Sequence, residues 1–455
     1  MKRTAWLAAL ACAAVASAWS AEEKLTFWHT QGSERAEDLN RIVEEYNAAN
    51  PPMKVEPVYK GSYSDIFRAT QTNLIAGNPP DLVVAYESMV AEYQEQSGRV
   101  VDLEPLMRDP EIGMSQAEID DIFPYFLEIN RYEQYGGALL SFVFTKSLLS
   151  LFVNEDMVRE AGFGGPAKTW SEFREQCLAM KGIGKKGYPI TVDASTLDGM
   201  FMSRGVNLVD YDTLTTRFDD PRVVETFAFL RELAEAGALY MVDGDSDEDF
   251  KEFVQQNAPF FIRSTTRRPV LQSEIGDKFR WSMNPIPRAE GVDPMTVLYG
   301  ANICVFDNGP ERVRAAWQFV KFFASPEITA RWALASGYMP VRKSSENLPI
   351  MQTWFAEHPV NRQSFDLIPL GRGEPTPRGW QAVRDEVVKA AVEAITGRGA
   401  RSPEAIAQDL KAKADALLAE NKEPARRGVT GIAIVAILAA AVAIALFKRK
   451  ASKHA

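Results

Sequence analysis

The side chains that most often carry metal or nucleophilic chemistry are few and scattered along this chain. Its 455 residues include three histidines, and His29, His358 and His454 are too dispersed to indicate a metal cluster or a histidine-based triad. Three consecutive carboxylates begin at Asp247, in a polar stretch typical of a solvated loop. The sequence contains no glycine-flanked nucleophilic serine of the hydrolase type. We therefore expect that the protein is not an enzyme and that it holds no metal or other cofactor.

The charge of the chain limits the class of partner. The formal net charge is −10, and it becomes −16 when the six basic residues at the two ends, from Lys2 to Arg3 and from Lys448 to Lys453, are set aside. A body so acidic repels the phosphate backbone of a nucleic acid, so we expect no nucleic-acid partner. An anionic ligand would have to be bound by a few locally placed cations.

The amino-terminal end predicts export. Residues 1–21 combine a basic start, an apolar run and a small-residue site, as in a secretory signal peptide, and cleavage after Ala18 or after Ala21 fits this pattern. The sequence leaves open whether Cys177 and Cys304 pair.

The carboxyl-terminal end predicts a membrane anchor. Residues 428–447 are uncharged and mostly apolar, and a helix of that length can span the hydrocarbon core of a bilayer. A basic cluster follows at once, which indicates the cytoplasmic side. We predict a tether over 421–427, a transmembrane helix over 428–447 and a cytoplasmic tail over 448–455. The body would then lie in the periplasm or on the outer face of the cytoplasmic membrane.

The elements that must position any site follow an α/β pattern. Strand-like runs over 25–29, 54–59 and 81–86 alternate with segments of helical spacing, which predicts one parallel sheet with helices between its strands. A second α/β region begins near Leu148. Ligands of such sheets bind where strands end and loops begin. Long helices are predicted in the last third of the body, over 312–323, 328–336, 380–396 and 403–420.

Several segments carry a resemblance to a known family. The first group is found at 27–29, 44–51, 77–82 and 337–342. These segments resemble the extracellular solute-binding proteins of ABC importers, of the maltose-binding type, and the resemblance covers nearly all of residues 24–420. Two further segments, 59–63 and 84–87, are similar to parts of periplasmic glycerol-3-phosphate-binding proteins.

The resemblance implies a fold and a role. The fold is the α/β, two-lobed periplasmic-binding-protein fold with crossing strands and a central cleft, to which we add the C-terminal transmembrane helix. Lobe 1 would comprise 24–147 and 283–325, and lobe 2 would comprise 148–282 and 326–420. A protein of this kind captures a solute in the cleft between its lobes and delivers it to the permease subunits of an ABC importer.

The resemblance also implies a glycerol-phosphate pocket. Arg384 would bind the phosphate oxygens as a bidentate donor, and Glu87 would accept hydrogen bonds from the glycerol hydroxyls. Carried over position by position, the ligand-binding residues are Tyr63, Glu87, Ser147, Ser264, Gly300, Tyr338 and Arg384.

Departures from the family pattern bear on the identity of the solute. Lys146 and Arg263 stand where small residues are common in the family, and these two cations favour an anionic ligand. Val192 and Ser195 occupy a stretch that carries tryptophans in many such binders, which leaves room for a bulkier head group. We expect glycerol 3-phosphate or a glycerophosphodiester such as glycerophosphocholine. The alternatives are a neutral sugar or oligosaccharide bound for the same type of importer and, more remotely, a membrane-bound phosphate-ester enzyme.

Overall fold

A computed structural model describes residues 23–242, 247–397 and 401–420. The strands are, in chain order, β1 (Lys24–His29), β2 (Lys54–Tyr59), β3 (Leu82–Ala85), β4 (Arg131–Tyr132), β5 (Ala138–Leu139), β6 (Phe142–Val143), β7 (Ser147–Asn154), β8 (Tyr188–Thr191), β9 (Val209–Asp210), β10 (Thr215–Thr216), β11 (Leu239–Val242), β12 (Phe260–Ser264), β13 (Trp281–Asn284), β14 (Thr296–Tyr299), β15 (Asn302–Val305) and β16 (Gly371–Gly373). The α-helices are α1 (Ser33–Ala48), α2 (Tyr63–Ile75), α3 (Glu87–Ser97), α4 (Glu104–Met107), α5 (Gln116–Asp121), α6 (Pro124–Glu128), α7 (Glu155–Glu160), α8 (Trp170–Met180), α9 (Ala194–Met202), α10 (Pro221–Glu235), α11 (Glu248–Val254), α12 (Arg268–Ile275), α13 (Pro310–Phe323), α14 (Pro326–Ser336), α15 (Pro349–Glu357), α16 (Pro359–Asp366), α17 (Trp380–Thr396) and α18 (Pro403–Glu420).

The first sheet has the strand order β2-β1-β3-β15-β6. β1 pairs in parallel with both β2 and β3, which confirms the parallel layer that the strand–helix alternation predicts. Leu25 and Phe27 of β1 are fully buried, and α1 covers the sheet with Leu39, Ile42 and Val43 at helical spacing. The carboxyl ends of β2 and β3 therefore lie at one edge of this sheet, where α2 and α3 begin.

The second sheet has the order β12-β7-β14-β16, with β13 also paired to β7. Strand β7 is buried along its whole length because it is central, and this explains its nearly continuous apolar run.

Three passages connect the two sheets in the described part of the chain: a long one from β15 through α13 to α16 into β16, and two short crossings. The chain crosses from β6 to β7 through residues 144–146, and it crosses back from β14 to β15 through Gly300 and Ala301. The two crossings lie against each other, because the Thr145 amide donates to the Ala301 carbonyl at 2.9 Å. Gly300 has a φ of +118°, and a Cβ atom there would lie 2.3 Å from the Thr145 carbonyl oxygen. This close approach of two backbones requires glycine.

The buried apolar residues form two cores: the first contains those of the first sheet, and the two faces of the second sheet contribute one to each core. The stretch 326–420 contributes to both: Trp332 and Phe365 pack in the first core, whereas Trp380 and Leu410 pack in the second. The lobe boundaries given above stay a prediction. Cys177 and Cys304 are both free and buried in different cores, which answers the question that the sequence left open.

The predicted fold class was wrong in one respect, the transmembrane helix. None of the helices that the structure describes is both long enough and apolar enough to cross a membrane. Helix α18 has 18 residues, but charged side chains such as Lys411 and Asp415 interrupt it. The segments predicted as signal peptide (1–21), tether (421–427), anchor (428–447) and tail (448–455) lie outside the described residues. The fold class is therefore corrected to the two-lobed α/β architecture alone.

Candidate functional site

A cavity of about 290 Å³ lies between the two sheets, next to the crossing segments. Side chains from both sheets line it. Those that matter most for its chemistry are Tyr63, Tyr86 and Glu87 on the side of the first sheet and Tyr299, Glu374 and Arg384 on the side of the second. It therefore joins polar groups from parts of the chain that are far apart in sequence.

The side of the first sheet is built at the ends of parallel strands. Tyr63 is the first residue of α2, which is fixed by a capping box between Ser62 and Asp65. Tyr86 caps α3 directly after β3, and its ring packs on that of Tyr63 with centroids 4.1 Å apart. Glu87 follows as the first residue of α3. This is the edge where ligands of parallel sheets bind.

Glu87 is held in place by a buried cation. Lys146, whose side chain is fully buried in the crossing segment, donates to Glu87 Oε1 at 2.9 Å and to the Gly300 carbonyl at 2.9 Å. Asn302 Nδ2 donates to the same carboxylate oxygen at 2.8 Å. Burial lowers the pKa of Lys146, and the carboxylate of Glu87 works in the opposite direction. The charge of Lys146 is thus balanced by that of Glu87. Lys146 is also not among the side chains that line the cavity.

Arg384 extends from the first part of α17 toward the cavity and forms an ion pair with Glu374. Its Nη2 atom also donates to Ser195 Oγ at 3.1 Å. Burial on its own lowers the pKa of Arg384, but nearby acidic groups, Glu374 first among them, outweigh burial and hold that pKa above its ordinary value. Arg384 is thus permanently charged and already has a carboxylate partner in this structure.

A further carboxyl group, that of Asp198, lies near Arg384 and its partner Glu374. Asp198 is fully buried on α9, and neither of its oxygens has a hydrogen-bond partner in the described part of the chain. Burial raises its pKa well above the ordinary value, and Glu374 raises it further. Burial likewise raises the pKa of Glu374. The surroundings of Arg384 are therefore more acidic than the sequence suggests, and part of that acidity is held in protonated form.

The remaining residues predicted for the site lie around the cavity and not in its wall. Ser147 Oγ donates to the Tyr299 carbonyl at 3.4 Å, and Ser264 hydrogen-bonds with Tyr299, whose pKa burial raises. Tyr338 stacks on Trp332 with ring centroids 6.4 Å apart.

Arg263 and Gly300 contact other groups of the protein and do not line the cavity. Arg263 Nε donates to Asp249 Oδ2 at 2.6 Å, so this cation is paired like Lys146. Gly300 lies in the crossing and accepts from Lys146. The structure thus brings Tyr63, Glu87 and Arg384 into one cavity wall and arranges the other predicted residues close behind it. Whether each of them contacts a ligand stays a prediction.

Sequence reasoning missed several side chains of the cavity, namely Tyr86, Ser88, Tyr299, Glu374, Trp380 and Gln381. Glu374 comes directly after β16 in a stretch with no helical or strand period, so no pattern identified it. Tyr86 could have been predicted as a cavity residue, since it precedes Glu87 at the end of a strand. Asp198 could also have been noticed, as a lone carboxylate among the apolar residues of α9.

The cleft is bridged beside the cavity. Gln381 of α17 donates to Ser88 Oγ of α3, and Arg378 forms an ion pair with Glu95 at 3.2 Å. A second cavity, of about 430 Å³, adjoins the first and shares Glu374 in its wall. The first cavity is therefore one part of a longer cleft.

The chain is similar to known binding proteins along most of its length. A family model described as bacterial extracellular solute-binding protein matches residues 41–359. The sn-glycerol-3-phosphate-binding periplasmic protein UgpB of Salmonella typhimurium is 24% identical over 365 residues, which are 76% of this chain and 81% of that protein.

Solved structures share the fold. UgpB from Mycobacterium tuberculosis, in complex with glycerophosphocholine, has a TM-score of 0.74 at 18% identity, covering 88% of this chain and 100% of that one. The sugar-binding protein MalE from Xanthomonas citri has a TM-score of 0.77 at 19% identity, covering 88% of this chain and 98% of that one. Proteins of this type are the substrate-binding components of ABC transporters and not enzymes. The chain belongs to the bacterial extracellular solute-binding proteins and is the solute-binding component of an ABC importer.

Proposed function

We propose that this protein captures glycerol 3-phosphate or a glycerophosphodiester in the cavity between its lobes and delivers it to an ABC permease outside the cytoplasm. The observation that supports this most directly is the joint placement of Arg384 and Glu87 in one cavity wall. A guanidinium suits phosphate oxygens, and a carboxylate suits glycerol hydroxyls, because the first can only donate hydrogen bonds and the second accepts them. The Salmonella relative is named for binding glycerol 3-phosphate, which agrees with this choice.

The size of the cavity supports a small ligand. Its volume of about 290 Å³ is at the lower end of the range of about 300 to 1,000 Å³ that is common for ligand pockets. Glycerol 3-phosphate needs no more than this. The head group of a diester would extend past Glu374 toward the adjoining cavity of about 430 Å³.

Isothermal titration of the full-length protein tests the proposal. We expect binding of glycerol 3-phosphate or glycerophosphocholine at micromolar or lower concentration, and a loss of about 100-fold in affinity for Arg384→Ala, because hydrogen bonds to charged groups contribute about 1.5 to 3 kcal/mol. The matched control is Arg331→Ala, which removes an arginine that pairs with Glu45 on the surface. Unchanged affinity in Arg384→Ala would contradict the role of Arg384.

A neutral sugar is the second candidate, and a specific observation favours it. The carboxylates around the cavity are accompanied by the rings of Tyr63, Tyr86 and Trp380, a combination that also suits a sugar. Maltose in the same titration decides between the two candidates. Binding of maltose but of neither phosphate ester would favour the sugar.

A further inference from the structure

Glu374 occupies the position in the cavity where an anionic ligand group is expected. Gly373, the last residue of β16, pairs with Leu298 of β14. Glu374 and Tyr299 are the next residues of these two segments, so the register places them side by side in the cavity wall. One of its carboxylate oxygens, Oε2, accepts from Arg384. The other, Oε1, is buried and has no hydrogen-bond partner among the described residues. Glu374 also lines both cavities, as does Thr376.

We propose that Glu374 is a specificity-determining residue, which holds Arg384 in the empty site and which the anionic group of the ligand displaces. This inference rests on the proposed function. The carboxylate and the phosphate oxygens both require donors of the same guanidinium, and two further cations near the first cavity are already paired, Lys146 with Glu87 and Arg263 with Asp249. A ligand that cannot take the place of Glu374 gains nothing from Arg384. Neutral polyols are thereby disfavoured relative to phosphate esters.

Displacement has a consequence for protons. Around the first cavity, the titratable or charged groups that face Glu374 are Arg384 on α17, Asp193 and Asp198 at α9, Glu87 and Tyr86 at α3, and Tyr299 at the end of β14. Across the second cavity they are Arg372, Arg131, Glu128, Glu133 and Tyr211. Once Glu374 is separated from Arg384, carboxylates predominate on the side of the first cavity, and the bound ligand adds another negative charge. The displaced carboxylate therefore takes up a proton.

The sign of the pH dependence follows from this uptake. If the complex binds more protons than the empty protein and the free ligand together, affinity rises as pH falls, by at most tenfold per pH unit for one proton. Burial already raises the pKa of Glu374 above its ordinary value in the empty site. Loss of the contact with Arg384 moves that pKa further in the same direction.

A phosphodiester is the appropriate probe, because its single ionisation is complete far below the pH range of the assay and the ligand contributes no titration. We expect glycerophosphocholine to bind the full-length wild-type protein more tightly at about pH 5 than at about pH 8. Glu374→Gln keeps the shape of the side chain but leaves Arg384 free of its carboxylate partner. At neutral pH it should bind the diester about tenfold more tightly than wild type, and its dependence on pH should be reduced by about one proton.

The control is Glu393→Gln. It removes a glutamate that pairs with Arg401 and lies on the same helix as Arg384 but outside the cavity, so affinity and pH dependence should be unchanged. Equal or weaker binding by Glu374→Gln with the full pH dependence retained would overturn the inference. If Glu374→Gln does not fold, the wild-type profile decides, since a flat profile also overturns it.

The outcomes separate this inference from the proposed function. If the wild-type protein binds neither glycerol 3-phosphate nor glycerophosphocholine, the proposed function fails and the inference fails with it. If wild type binds the diester, Arg384→Ala does not, and Glu374→Gln behaves as wild type, the proposed function stands and only the role of Glu374 is lost.

Discussion

Replacing Asp198 by asparagine should stabilise the protein, by an amount that grows with pH. The side chain is fully buried, its two oxygens lack hydrogen-bond partners among the described residues, and the buried Nε1 atom of Trp380 likewise has none there. Burial raises the pKa of Asp198 well above the ordinary value and Glu374 raises it further, while Arg384 and the nearby indole of Trp380 oppose this rise without cancelling it. The folded protein therefore keeps a proton that the unfolded chain releases.

The magnitude follows from proton counts. At about pH 4 the aspartate is only about half ionised in the unfolded chain, so Asp198→Asn and wild type should differ little in the free energy of unfolding that comes from this group. As pH rises, the unfolded state ionises first, and the free energy of unfolding of wild type falls by about 1.4 kcal/mol per pH unit until the folded group ionises as well. Over three units this amounts to at most about 4 kcal/mol. Asparagine cannot ionise, so the variant escapes this loss.

Urea unfolding of the full-length protein between about pH 4 and about pH 7 measures the effect. The quantity of interest is the free energy of unfolding of Asp198→Asn minus that of wild type, which should rise with pH. Asp212→Asn, at an exposed aspartate, is the control and should show a difference near zero throughout. A difference for Asp198→Asn that stays constant with pH would mean that the aspartate is ionised in the folded protein, and the electrostatic description of the site would be wrong.

Two further predictions concern the crossing segments. Gly300→Ala should lower the free energy of unfolding by at least about 2 kcal/mol, because a Cβ atom would overlap the Thr145 carbonyl. The control is Gly309→Ala, where φ is a similar +108° but nothing lies within 4 Å of the added Cβ atom. It should lower the free energy of unfolding by less in the same urea titration, and the difference between the two variants separates the overlap from the backbone strain. Lys146→Met should lower the free energy of unfolding by about 3 kcal/mol, because it leaves the carboxylate of Glu87 without its cation. Adding Glu87→Gln should recover part of this loss. Additive effects of the two substitutions in a double-mutant cycle would contradict the pairing.

The parallel layer could be predicted because periodicity is a local property. Alternation along Lys54–Tyr59 and the helical spacing of Leu39, Ile42, Val43 and Tyr46 are visible in short windows, and the structure follows them closely. The predicted ends of β2 and β3 then indicated where one side of the cleft would lie. Tyr63 and Glu87 lie at that edge, as the resemblance to glycerol-3-phosphate-binding proteins also implied.

The charges of the site could not be predicted in the same way, because pairing depends on residues far apart in sequence. Lys146 was expected to add a positive charge for an anionic ligand, but its partner Glu87 comes from 59 positions earlier. Arg263 is likewise neutralised by Asp249, from another element. A sequence shows how many charges a chain has and gives little information about which of them cancel.

Under the proposed function, this cancellation bears on how so acidic a protein would accommodate an anion. Lys146 with Glu87, Arg263 with Asp249 and Arg384 with Glu374 form three ion pairs around the cavity, so none of these cations is in excess. Attraction for a phosphate ester therefore cannot come from surplus positive charge. Under the inference above it comes from exchange, in which the ester takes the guanidinium of Arg384 and a proton neutralises the carboxylate left behind. Burial raises the pKa of Asp198 and of Glu374, which favours the neutral form of both carboxyl groups and so assists such an exchange. A cleft built in this way selects for the ligand that competes best for one arginine, and it needs no general positive field.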